Sequence, residues 1–256
     1  MIFKKSTRKE GDYMRFNLFN LNYACLGAAF RFLDNVAPEV LLVEYNDYGV
    51  NQKRLPGGTV TFEDILNAIN KVKEENTKYE ESVFHTIIDQ VRGIESSFKE
   101  SINNYKERHE KNKFFGHKLD EVIATMESIK VDEDLIEKIS YKSREETMTR
   151  KFILETNASE VGKLIPMSVY RLSNGHEKCG FVSVKVKAPD FYQGSGDGDI
   201  WLSHWKPVGE IYKKLFASKS AHHGNLLQSA MREAIEGNLH PRVSELKEYW
   251  TSTNPI

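Results

Sequence analysis

Two cysteines in 256 residues, Cys25 and Cys179, are too few and too far apart for a disulfide framework or a thiolate zinc site, which need several thiols at short spacing. They read as ordinary reduced thiols. An excess of one charge sign is also missing. The 36 Lys and Arg stand against 37 Asp and Glu, a formal net charge of −1, so bulk attraction to nucleic acid or to an anionic membrane is not indicated. No apolar run approaches the ~18 residues that a membrane span needs. Met1-Ile2-Phe3 passes straight into Lys4-Lys5 without a signal-like apolar stretch. The expectation is a cytoplasmic protein in which Asn157-Ala158-Ser159 is an inert sequon. The G-x4-G-K-[ST] phosphate loop, the dinucleotide fingerprint and the G-x-S-x-G nucleophile elbow are absent. His204, His222, His223 and His240 lack metal-ligand spacing with Cys or acidic partners, and each reads as a surface or satisfied histidine.

What is present is the composition of an ordinary globular chain, 39% hydrophobic and 29% charged, enough for one large domain or one domain with an insertion. Residues 24–32 and 39–44 read as two strands around a polar turn at Asp34-Asn35, a hairpin. A polar loop then leads into Leu55-Pro56-Gly57-Gly58. Proline fixes one dihedral there, and paired glycines permit a turn in which backbone approaches a ligand closely.

Between Asp64 and Ser143 the texture changes to charged helix. Phe84, Ile87, Ile88, Val91, Ile94, Phe98 and Ile102 recur at three- and four-residue steps, and Leu119, Val122, Ile123, Met126 and Ile129 repeat the pattern, with a turn at Phe114-Phe115-Gly116-His117. Such a stripe packs on a neighbouring helix or serves as a subunit interface. Asp132-Glu133-Asp134 marks the start of a further helix through Ile139. Ser143 followed by Glu146 fits a capping box, which predicts a fresh helix with Arg144 as its first residue. Along it Glu146 faces Arg150 and Lys151 faces Glu155 at four-residue spacing, while Phe152 turns to the core. Strands follow at 180–186 and 200–205, then helices at 207–216 and 225–235, and a short amphipathic tail carries Trp250.

Leu55-Pro56-Gly57-Gly58 and the run from Ser143 through Ala158 resemble the two halves of the Nudix box, G-x5-E-x7-R-E-U-x-E-E-x-G-U, interrupted by the helical stretch. The Trp205-Lys206-Pro207-Val208-Gly209-Glu210 segment resembles the family's late tryptophan-containing stretch. The resemblance implies an α/β fold, a Nudix-like α/β/α sandwich with a mixed sheet. Residues 1–64 and 143–256 would form the Nudix-like domain and 65–142 a long helical insertion. It also implies that Asp64 takes the place of the loop glutamate and pairs with Arg150, Phe152 fills the first aliphatic position, and Ala158 the last.

The departures fall on the metal ligands. Lys151 stands for the glutamate after arginine, Leu154 for the first glutamate of the pair, and Asn157 for the terminal glycine, a position asparagine tolerates. A carboxylate exchanged for an ammonium changes the local charge by two units, which weakens a divalent-cation site. The metal candidates that remain are Glu155 and the Gly58 carbonyl, with Glu146, Asp197 or Asp199 as rescuing ligands.

Two functions stay open. One is a non-catalytic module that binds a nucleotide-like small molecule through Gly57, Gly58, Arg150 and Lys151 and needs no cofactor, or that meets a protein partner or a second copy through the insertion. The other is a Mg²⁺-dependent Nudix pyrophosphohydrolase cleaving a nucleoside diphosphate-linked substrate.

Overall fold

A computed structural model describes residues 24–47, 50–104, 133–167, 170–171, 177–194, 200–217 and 221–251, with isolated positions between 114 and 131. Asp197 and Asp199 lie outside the described residues, as does most of the second apolar repeat. Of the expected turn near 115, Phe114 and His117 are described, and both are helical.

The strands are β1 (Ala24–Arg31), β2 (Glu39–Asp47), β3 (Val50–Arg54), β4 (Gly57–Thr59), β5 (Glu160–Val161), β6 (Ile165–Pro166), β7 (Tyr170–Arg171), β8 (Glu177–Ser183), β9 (Val186–Lys187), β10 (Phe191–Gln193) and β11 (Ile200–Pro207). The helices are α1 (Phe62–Glu74), α2 (Glu81–Ile102), α3 (Glu133–Thr156), α4 (Val208–Ala217), α5 (Ala221–Glu236) and α6 (Lys247–Thr251), with a 3-10 turn at Val243–Leu246. The chain divides into two compact units. One is built mainly on Val60–Glu146, the other on Ala24–Thr59, Thr147–Tyr170 and Lys178–Ile256. The divide passes through α3.

The second unit is organised on a mixed sheet of order β10-β11-β2-β1-β8-β6, with β3 on β2, β4 on β1 and β7 on β8. β1 runs antiparallel to β2 and to β4, and parallel to β8 over Ala24–Ala29. Side chains alternate across a strand, so β1 presents Leu26, Ala28 and Phe30 to one face and Gly27 to the other. The first face packs with Val40 and Leu42 of β2 against Val208 and Ile211 of α4 and Leu226, Leu227, Ala230, Met231 and Ala234 of α5. The opposite face receives the last turns of α3. A β-carbon on Gly27 would stand 2.5 Å from Met148 Cε and 2.6 Å from Phe152 Cζ. The unit is therefore an α/β/α sandwich, the architecture that the sequence implied.

The first unit is helical. Phe62, Ile65, Ala68, Ile69 and Val72 of α1 and Phe84, Ile87, Ile88 and Val91 of α2 are buried, the faces given by their three- and four-residue spacing. Ion pairs join Lys73 of α1 to Glu81 of α2 at 2.5 Å, and Lys142 of α3 to Glu75, the residue after α1, at 3.4 Å. No helix among the described residues is long and apolar enough to cross a membrane.

One expected boundary is corrected. Ser143 does not begin a helix: α3 runs unbroken from Glu133 to Thr156, and Ser143 Oγ donates to the Ile139 carbonyl at 2.7 Å, a bond back along an existing turn. Arg144, expected as a first helical residue, is a buried mid-helix side chain at 1% exposure whose Nη2 donates to Ser140 Oγ at 2.7 Å. The working capping box lies at α1. Thr61 Oγ1 accepts from Asp64 N–H at 3.2 Å, and Asp64 Oδ2 accepts from Thr61 N–H at 2.8 Å. A Ser-x-x-Glu pattern is local and cannot report that the residues before it are already helical.

α3 ends at Asn157, whose φ of 54° is the left-handed conformation that stops a helix. Asn157→Gly should leave stability unchanged or raise it slightly. Asn157→Val should lower it by about 1–2 kcal/mol, since a β-branched residue resists that conformation. Urea unfolding midpoints of the two variants measure the difference, and equal midpoints would count against this reading of the helix end.

Candidate functional site

The segment Leu55–Thr59 is anchored at every residue. Leu55 N–H donates to Nδ1 of buried His223 at 3.3 Å. Pro56 accepts at its carbonyl from Gly27 N–H at 2.9 Å. Gly57, Gly58 and Thr59 form β4, paired with Leu26, Cys25 and Ala24. Cys25 in turn lies beside Cys179 in the β1–β8 register, and both are buried and outside any disulfide.

The last turns of α3 close on this segment. Gly57 N–H donates to Glu155 Oε2 at 2.9 Å, and Glu155 is fully buried at 0% exposure. Lys151 Nζ pairs with Glu155 Oε1 at 3.2 Å. Arg150 Nη2 donates to the Thr59 carbonyl at 3.2 Å. Residues 91 and 98 positions apart thus form one wall.

The glycines are explained by these contacts. A β-carbon on Gly57 would stand 2.3 Å from the Cys25 carbonyl oxygen, and one on Gly58 would stand 2.0 Å from Lys151 Cε. Strand β1 and the Lys151 side chain lie against the backbone of the paired glycines.

The Asp64 carboxylate accepts from Thr61 N–H in the α1 cap, and the Arg150 guanidinium donates to the Thr59 carbonyl. Glu146 is paired with Lys71 at 2.5 Å. Leu154 is 37% exposed and offers no ligand atom. Glu155 has one oxygen on a backbone amide and the other on an ammonium. Among the described residues, no group of three His, Cys, Asp or Glu is placed to hold a metal ion. Glu155 and Glu146, the carboxylate candidates among the described residues, are each held in an ion pair, whereas a catalytic Mg²⁺ needs several oxygen donors converging on one point.

A second polar cluster was not foreseen. On the α4–α5 face of the sheet, His204 of β11 and Glu44 of β2 are both buried, with His204 Nε2 3.4 Å from Glu44 Oε1 and Lys53 Nζ also 3.4 Å from that oxygen. His204 Nε2 makes no hydrogen bond. Burial pushes the His204 pKa down, the nearby Glu44 charge opposes this, and Lys206 and Lys53 add to the lowering. The sequence carried only a faint signal of this pairing, an acidic residue ending the apolar run of β2 and a histidine inside an apolar strand. His240, by contrast, is satisfied as expected, stacked on Phe32 at 4.5 Å with Nδ1 accepting from Arg242 N–H.

No protein-family model matches the chain, and no curated protein matches it. Among solved structures it is similar to the NUDIX domain of Shewanella oneidensis NrtR complexed with ADP ribose. The two are 14% identical, with 89% of this chain and 99% of that chain covered and a TM-score of 0.41.

Gly57→Ala should destabilise more than Gly58→Ala, because the first collides with backbone and the second with a movable side chain; urea midpoints rank them, and the reverse order would refute the packing described. The His204 shift predicts a pH dependence. A histidine held neutral binds fewer protons folded than unfolded, so its stability is present above the unfolded pKa of about 6.5 and is lost as pH falls from there through the lower folded value. Thermal unfolding at pH 7.5 and 5.5 should show a larger loss in the wild type than in His204→Leu, and parallel losses would remove His204 as the cause.

Proposed function

We propose that this chain is a non-catalytic binding module, in which the Gly57-Gly58 segment with Arg150 and Lys151 takes the phosphate of a nucleotide-like small molecule. The observation that supports this reading best is the Lys151–Glu155 pair at 3.2 Å beside Gly58. An ammonium lies where hydrolysis by the box would need a carboxylate, so the chemical step loses its metal while the wall that would face a phosphate is retained. Arg and Lys are the side chains suited to a phosphate, the first as a planar fork of donors and the second as a compact charge.

Calorimetric titration with ADP-ribose, ATP and inorganic pyrophosphate, run with and without Mg²⁺ beside a hydrolysis assay, tests the proposal. Binding without turnover is expected, weakened roughly 10-fold or more in Lys151→Ala, the loss of one charge-assisted hydrogen bond. Failure of every probe to bind would refute the ligand role. Mg²⁺-dependent turnover abolished by Glu155→Gln would instead establish the hydrolase. A solution mass well above 29.5 kDa would favour the version in which the insertion meets a protein partner or a second copy.

A further inference from the structure

We infer that the Lys151 ammonium is the resident cation of this site, the charge that in a metal-dependent box would be supplied by a divalent ion, so that the wall between β4 and α3 assembles without metal. Glu155 is completely buried, and a buried carboxylate must be compensated. The chain meets each of its oxygens: the Gly57 amide donates to Oε2 and the Lys151 ammonium pairs with Oε1.

Space gives the same answer. A β-carbon on Gly58 would lie 2.0 Å from Lys151 Cε, 2.8 Å from Nζ and 3.0 Å from Cδ, so the side chain lies flat on the segment's backbone and fills the volume above it. Only 12% of the Lys151 side chain is exposed, which places its charge beside Glu155 rather than in bulk water. The charge count closes as well. Lys151 and Glu155 sum to zero and Leu154 adds nothing, so this pair itself offers no net negative charge to a divalent ion. A β-carbon at position 58 would shift the Lys151 side chain and with it the ammonium.

This inference concerns how the site is held together and stands whether or not a phosphate ligand binds. Metal binding at the site would overturn it without deciding the ligand question.

The test uses the full chain with Mn²⁺ as probe, free ion being read by electron paramagnetic resonance and stability by thermal unfolding. The wild type is expected to show the same Tm in EDTA and in millimolar Mg²⁺ or Mn²⁺. Its Mn²⁺ binding should be unchanged by Glu155→Gln. Lys151→Met should lower Tm by roughly 5–10 °C, as removal of one partner from a buried pair does, with no recovery on adding Mn²⁺. Lys151→Glu puts two carboxylates one helical turn apart beside Gly58; its Tm should fall in EDTA and rise by several degrees in Mn²⁺, a rise abolished by adding Glu155→Gln. A folded Lys151→Glu protein with no Mn²⁺ response would overturn the inference. So would wild-type Mn²⁺ binding that drops tenfold or more in Glu155→Gln, and that comparison decides alone if Lys151→Glu does not fold.

Discussion

A buried carboxylate needs partners, and in this protein the need is met at Glu155. Its two oxygens reach the Gly57 amide and the Lys151 ammonium from a position with no solvent exposure, so helix α3 and strand β4 are joined by charge-assisted hydrogen bonds. Breaking one such bond would leave a desolvated charge, at a cost of about 3–5 kcal/mol. That penalty exceeds what any exposed ion pair on this chain contributes. It is the constraint on which the geometry of the candidate site rests.

The rest of the second unit is arranged to permit the contact. Gly27 leaves room for Met148 and Phe152, which seats the last turns of α3 on the sheet. The β1–β4 pairing and the bond from Gly27 to Pro56 then hold the glycine segment at the height where Glu155 can reach it. On the opposite face α4 and α5 complete the core, and His223 of α5 ties down Leu55. Apolar burial brings the layers together. The polar bonds select which residues of β4 and α3 are adjacent.

Elements with strong periodicity were legible. The β1–β2 hairpin, α2, and the helices after β11 all carry alternation or three- and four-residue spacing, and each forms where its pattern lies. The left-handed residue at the end of α3 was legible too, because asparagine is one of few residues that accept that conformation. The start of α3 was not. A cap motif at Ser143 is written in a handful of residues, and whether it opens a helix depends on Leu135 and Ile139, which are buried in the first unit and carry the helix through. The cap at Thr61 and Asp64 went unread because the acidic residue had a competing interpretation as a box position.

Amino-acid order alone determined the mixed α/β class and the apolar faces, since these follow from residue type and spacing. Only the tertiary structure decided what the surviving residues do. Whether Lys151 turns to solvent or lies on Gly58, whether Glu155 is a surface partner or a buried one, and whether His204 meets Glu44 all depend on contacts between residues far apart in the chain. Charge and periodicity are local properties. Burial is not, and burial is what turns an ordinary helix-surface pair into the clamp of this site.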